Sequence, residues 1–279
     1  MIDIDARKQS GRPAGLPDWR DAHAAEISMS GGQKMSHTVS FEQAASRVMV
    51  ALDYDGTAEA QRLIEQLEGI PCYMKVGMQL FYAGGPSFIR ELKERGYSVF
   101  LDVKMHDIPN TVKGGANSIA KLGVDMFNVH AAGGKKMMQA AIEGVEAARA
   151  ADPSLPRPVI IAVTQLTSTN NEVMNEEIGI PGTVEETVVR YAKLTQEAGL
   201  DGVVASPHEV KSIKAACGDS FRTVTPGIRP KGAPLQDQSR VMTPAEAMRH
   251  GTDYIVVGRP ITEAEDPRAA LLSIIEELM

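Results

Sequence analysis

Only two cysteines, Cys72 and Cys217, occur in 279 residues, far apart and each in apolar surroundings. That scarcity excludes a disulfide framework and argues against a cysteine metal site. Long apolar runs are missing too. The stretch Val159–Val163 is typical of the longest, far short of the roughly 18 residues a membrane span needs, so a soluble protein is expected. Basic excess is also absent: 29 Lys plus Arg against 36 Asp plus Glu give a net charge of −7, with no basic cluster free of acidic neighbours. Sustained binding to a phosphate backbone needs such a cluster, so a nucleic-acid partner is not expected. The opening MIDIDARKQSGRPAG has no apolar core of a secretory signal, which makes a reducing, cytoplasmic location the expectation. What remains, 43% hydrophobic and 23% charged residues, suffices for a large globular core.

From Met1 to about Ser40 the chain is rich in Gly, Ser, Asp and Arg, carries Pro13 and Pro17, and shows no periodicity. A disordered N-terminal extension over residues 1–40 is expected, with Met29 and Met35 as internal starts. From Arg47 onward, β-branched runs alternate with amphipathic stretches, the pattern of βα units around a parallel sheet. Strands are expected at 47–53, 72–77, 98–104, 126–131, 158–166, 202–206, 222–228 and 253–259. A last helix from about Glu265 to Met279 carries Leu271, Leu272, Ile275 and Leu278 on one face. Length alone leaves two domains or one barrel open. An open doubly wound sheet usually has a glycine-rich turn after its first strand, whereas here that strand ends LDYDGT. The expected fold is α/β, a single (β/α)8 TIM barrel over residues 41–279.

Barrel strands are buried on both faces, so charges at their C-terminal ends need a reason. Asp53, Lys75, Asp102, Lys104 and Arg259 all fall there, where the active sites of such barrels are built. Period-two alternation puts Asp102 and Lys104 on one side of their strand. A lone pair of this kind could be a buried ion pair that only offsets its own desolvation; with Lys75 and Asp53 at the same level, a functional network is the better reading. In the following loop Asp107 resembles an ordinary acid near a helix start, Pro109 closes the passage, and Asn110 is the expected helix cap. His106 and His130 read as hydrogen-bonded supports rather than bases. The carboxylates lie near lysines, not near histidines at ligand spacing, so no metal is expected. TPGIR (225–229) and VVGRPIT (256–262) each end a strand with glycine and arginine, a phosphate-binding arrangement in barrels. The loop between them, 229–247, reads as a lid over the pocket with Gln238 as a phosphate ligand.

KVGMQLFY, FLDVKMHDIPNTV, VTQLTS, DGVVASPHEV, VTPGIR and DYIVVGRPIT together resemble orotidine 5′-phosphate decarboxylase of the bacterial type, from Val48 to the C-terminus. D-x-K-x-x-D alone is shared with related barrels; followed by IPNT and paired with the two arginine segments it becomes specific. The resemblance implies decarboxylation of orotidine 5′-phosphate to uridine 5′-phosphate, the last step of de novo UMP synthesis, without metal or other cofactor. It implies that Lys104 protonates C6 of the pyrimidine and that Asp102 faces the substrate carboxylate. Lys75 and Asp107 would complete an alternating network, Asp107 acting across a homodimer interface in the partner's site. Asp53 would bond the ribose, Ile108 and Thr111 would belong to the same substrate-contacting run, and Thr167 would touch the pyrimidine. Arg229, Gln238, Gly258 and Arg259 would hold the substrate and its phosphate.

The chemistry agrees with those roles. Loss of carbon dioxide leaves carbanion character that the ring cannot delocalise, and a preorganised ammonium at C6 stabilises it. Repulsion between Asp102 and the scissile carboxylate is a possible ground-state contribution. Two rivals stay open on sequence. One is a sister barrel that uses magnesium with a similar D-x-K-x-x-D strand to act on an enediolate. The other is a catalytically silent barrel that binds a phosphorylated ligand.

Overall fold

A computed structural model of the chain describes residues 39–231 and 241–279. Eight parallel strands close into a barrel in sequence order: β1 (Val48–Ala51), β2 (Tyr73–Gly77), β3 (Ser98–Met105), β4 (Met126–His130), β5 (Val159–Val163), β6 (Gly202–Val204), β7 (Arg222–Thr225) and β8 (Tyr254–Val257). Around it run α1 (Phe41–Ala45), α2 (Thr57–Gln66), α3 (Met78–Glu94), α4 (Pro109–Ala120), α5 (Gly134–Ala151), α6 (Val184–Ala198), α7 (Val210–Cys217), α8 (Pro244–Arg249), α9 (Arg259–Thr262) and α10 (Pro267–Glu276). This is the expected (β/α)8 barrel, with each expected strand found a few residues shorter at its ends or, for β3, one longer. The first 38 residues of the expected extension lie outside the described residues, as does Gln238 in the expected lid.

Alternation along the strands sorts the core into two sets. Met49, Tyr73, Phe100, Met126, Val159, Ile161 and Val224 pack together inside the barrel. Their strand neighbours Val48, Val50, Met74, Leu101, Phe127 and Ile160 pack outward against the helices, as period two requires. Lys75, Asp102 and Asn128 each stand two residues beyond an interior residue of their strand, so they belong to the next layer, toward the C-terminal rim. Both cysteines are buried and free. Burial pushes the Cys72 thiol up to about 12, which leaves it an inert core residue.

The N-terminal end of the barrel carries a repeat that the sequence reading did not find. Before β4, β6 and β8 the chain reads Gly123-Val124-Asp125, Gly199-Leu200-Asp201 and Gly251-Thr252-Asp253. Each glycine has a positive φ, 71°, 91° and 92°, the left-handed turn that L side chains disfavour and that ends a helix. Each aspartate then accepts the N–H of a residue in the preceding strand, Val99, Ile160 or Thr223, at 2.7 Å. Its own N–H returns a bond to that same residue's carbonyl. A cation closes each unit: Lys93, Arg157 and Lys214 respectively. Before β2 and β3 the turn glycine recurs at Gly69 and Gly96, with φ 83° and 84°, but Pro71 and Ser98 stand in the place of the aspartate.

Three local expectations need correcting. Helix α4 starts at Pro109, with Ile108 at the cap position and no side-chain cap bond. Asn110 is therefore inside the helix, because a proline suits the first helical position, where no N–H is needed. The loop before β8 ends earlier than expected: Thr243 and Glu246 form a reciprocal capping box and open α8. On α10, Ile274 is buried with Leu271, Ile275 and Leu278, whereas Leu272 is only half-buried. Helices α4 and α5 pack tightly at Gly144, where a Cβ would come within 2.1 Å of the Lys113 carbonyl oxygen. That contact, with the Asn117 amide donating to the Gly144 carbonyl at 3.1 Å, seats the helix that begins beside Ile108 and Thr111.

Candidate active site

Parallel strands deliver all their C-terminal ends to one rim, and there the inward layer turns from apolar to charged. The Lys75 Nζ donates to Asp53 Oδ1 at 3.0 Å and lies 3.6 Å from Asp102 Oδ2. The Lys104 Nζ donates to Asp102 Oδ1 at 2.7 Å. The result is one chain of alternating charge, Asp53–Lys75–Asp102–Lys104. Its depth is graded: the side chains of Lys75 and Asp102 are 8% and 13% exposed, Lys104 27% and Asp53 63%. The middle pair is buried, and the groups at the two ends are the more exposed.

Asp102 is the hub. Burial pushes its carboxyl upward, but Lys75 and Lys104, with hydrogen bonds from Lys104 and Asn128, more than offset this and hold it below the usual carboxylate range. It is an anion at neutral pH, as a group placed between two ammoniums must be if none is to stand unpaired in a buried site.

The reason that Lys104 meets Asp102 is not the simple alternation expected. The β3–β4 pairing runs Leu101 to Phe127 and then resumes at Met105 to Val129, so β3 bulges in between. Lys104 takes φ 48°, the positive-φ non-glycine among the described residues. Such a backbone costs about 1–3 kcal/mol and persists where surrounding contacts impose it. Here the contact is Asn128, which is fully buried on β4. Its Oδ1 accepts the Lys104 N–H at 2.8 Å, and its Nδ2 donates to Asp102 Oδ1 at 2.7 Å. Sequence reasoning passed over this residue. The signal available was an uncharged amide at an inward position of a strand, two residues past Met126.

Gly258 lies beside the first strand's end, where a Cβ would stand 3.6 Å from that of Ala51 and 4.0 Å from Asp53 Oδ2. Arg259 follows it as the first residue of α9. Arg229 is buried, with its Nη1 donating to the Ile228 carbonyl at 3.0 Å. Thr167 lies in the turn after β5, and Thr111 is exposed in the first turn of α4. Asp107 stands apart from the network within its own chain: it is exposed, and its Oδ1 accepts the N–H of Ile108 at 2.6 Å. The two histidines lie ring against ring, with centroids 5.6 Å apart and planes tilted by 33°. Burial first, then His106 and Lys104, hold His130 below its ordinary value. Among the described residues, no three His, Cys, Asp or Glu side chains gather as a metal-holding group.

A lysine–aspartate chain of alternating charge, buried at its middle, at the C-terminal rim of a closed parallel barrel defines an α/β-barrel enzyme site. Comparison with known proteins gives the family. The profile of the orotidine 5′-phosphate decarboxylase / HUMPS family matches residues 46–274. Orotidine 5′-phosphate decarboxylase of Moorella thermoacetica is 53% identical over 235 residues, covering 84% of this chain and 93% of the relative. That of Bacillus cytotoxicus is 53% identical over 227 residues, covering 81% and 94%. The crystal structure of orotidine 5′-phosphate decarboxylase from Lactobacillus acidophilus superposes with a TM-score of 0.75 at 42% identity, covering 84% of this chain and 99% of that one. The chain belongs to the orotidine 5′-phosphate decarboxylase family, and its enzyme class is that of the carboxy-lyases.

Proposed function

We propose that the protein decarboxylates orotidine 5′-phosphate to uridine 5′-phosphate in the cytoplasm, without metal or other cofactor, and that Lys104 protonates C6 as carbon dioxide leaves. The observation that carries this reading is the Asp53–Lys75–Asp102–Lys104 chain. As the C6–carboxylate bond breaks, its electron pair stays on C6. An ammonium already aimed there stabilises that charge and then gives up its proton, with no reorganisation at the moment of reaction. Asp102, anionic and bonded to Lys104, fixes the direction of the donor. It also sets a negative charge where the substrate carboxylate enters, which favours that carboxylate's departure.

Asp53 bonds the ribose, and Thr167 reads the pyrimidine. Arg229, Gly258, Arg259 and Gln238, the last outside the described residues, grip the substrate and its phosphate. Asp107 serves the partner's site in a homodimer, joined by Ile108 and Thr111 at the start of α4. Its exposure and lack of a bond to Lys104 in its own chain fit that use. Large apolar side chains are also exposed in segments beyond strand C-terminal ends: Met78, Tyr82, Ile108, Leu166 and Ile178. Ile108 among them adjoins Asp107, so a second copy of the chain seated at the start of α4 would cover it.

The direct test is loss of orotate ultraviolet absorbance when the protein meets orotidine 5′-phosphate in excess EDTA. Turnover to uridine 5′-phosphate is expected. Activity that appears only on adding magnesium would favour the metal-dependent sister chemistry, and no turnover in either buffer would leave a binding protein. A second expectation concerns the phosphate. Arg259→Ala should raise KM for the phosphorylated substrate by about 30- to 150-fold, the worth of a charge-assisted hydrogen bond at about 2–3 kcal/mol. Kinetics with orotidine lacking the phosphate should be unchanged, and an equal loss on both compounds would remove Arg259 from the phosphate site.

A further inference from the structure

We propose that Asn128 is a positioning residue for the decarboxylation, setting where the Lys104 ammonium sits by holding the lysine's main chain and the carboxylate of Asp102 at once. This rests on the decarboxylase reading above. The bulge between Leu101 and Met105 takes the Lys104 N–H out of the β3–β4 ladder, and a buried N–H needs a partner. Asn128 supplies it from the neighbouring strand with Oδ1, at 2.8 Å. The other end of the same amide donates to Asp102 Oδ1 at 2.7 Å, the oxygen that also receives the Lys104 ammonium at 2.7 Å. One planar group thus closes a ring through the main chain of Lys104, its side chain and Asp102.

The amide orientation follows from its partners. Only the carbonyl oxygen can face an N–H, and only the amine can face a carboxylate. Asn128 is 0% exposed, in a strand whose interior neighbour Met126 is packed in the barrel core, so the amide has little freedom to drift. Leucine has nearly the right size but neither function. Aspartate has the right shape, keeps the acceptor for the N–H, and sets a second carboxylate against Asp102. No ordinary strand residue other than asparagine meets both demands at this length.

The test is steady-state kinetics of Asn128→Leu and Asn128→Asp beside the parent protein, with kcat followed against pH and folding checked by thermal denaturation. A donor displaced by a fraction of an ångström should lower kcat by about ten- to a hundredfold in Asn128→Leu, with KM within about threefold. The acid limb of kcat should move to higher pH, because Asp102 loses a hydrogen bond that favours its anion. Asn128→Asp, although isosteric, should lose at least as much, through repulsion at Asp102. A purely structural role would lower the melting temperature and leave kcat per folded molecule and the acid limb where they were. That outcome overturns the assignment, and if Asn128→Leu does not fold, Asn128→Asp decides alone. A parent protein inert toward orotidine 5′-phosphate would overturn the decarboxylase reading as well. An active parent with equally active variants would overturn only the role of Asn128.

Discussion

Lys104→Ala should abolish nearly all decarboxylation while leaving a folded barrel. The lysine supplies two things that act in the same step. Proton transfer by a positioned group is worth about 10²–10⁴-fold, and a preorganised charge at a developing anion about 10²–10³-fold. A loss of kcat of about 10⁴-fold or more is therefore expected, equivalent to at least about 5 kcal/mol of transition-state stabilisation. Affinity for uridine 5′-phosphate should change far less, since phosphate, ribose and ring contacts remain. The fold should survive because the side chain of Lys104 is 27% exposed at the rim, not in the apolar layer beneath. Truncation also leaves Asp102 with Lys75 and Asn128 as partners. The measurement is turnover followed by orotate absorbance, alongside product binding by calorimetry. Near-parental kcat would exclude Lys104 as proton donor, and loss of both turnover and product binding would point to collapse of the rim instead.

That lysine was legible in the sequence for a physical reason. A parallel barrel strand should be apolar throughout, so Asp102 and Lys104 in β3 and Lys75 in β2 stood out as violations of the local rule, and the fold places violations at strand C-termini on one rim. The bulge that brings Lys104 to Asp102 was not legible, because it is set by how β3 pairs with β4 and not by the residues of β3 alone. Asn128 was hidden with it: its partner N–H becomes available only once the bulge has formed. The start of α4 was missed by two residues because Asn110 is a strong cap type, yet Pro109 takes the first helical position and moves the cap to Ile108. Helix α8 was hidden by the Pro- and Gly-rich run before it, although Thr243 and Glu246 carry a capping-box spacing.

The opposite end of the barrel supplies the largest stability effect, and it separates holding the fold from doing the chemistry. Asp201 accepts the Ile160 N–H at 2.7 Å and both Arg157 bonds, at 2.9 and 3.0 Å, with 18% of its side chain exposed and 30% of Arg157's. Asp201→Ala would leave the Ile160 N–H without its side-chain acceptor and take from Arg157 its nearest carboxylate, leaving that guanidinium Glu146 at 3.7 Å and the Pro158 carbonyl at 3.4 Å. Loss of a hydrogen bond to a charged group costs about 1.5–3 kcal/mol, and removal of one partner of a buried pair about 3–5 kcal/mol. With partial exposure, about 2–4 kcal/mol is expected. In urea or thermal denaturation that is a fall in Tm of about 5–15 °C for a domain of this size. Asp201→Asn keeps one oxygen for the Ile160 N–H but loses the charge and turns the other oxygen, which accepts from Arg157, into a donor, so it should cost less than Asp201→Ala without being neutral. Neither variant should change kcat per folded molecule, because the N-terminal end of a barrel carries its stability and the C-terminal rim its reaction. A kcat that fell with Tm in Asp201→Asn would show that the two ends are coupled through the strands, and the division of labour between them would have to be given up.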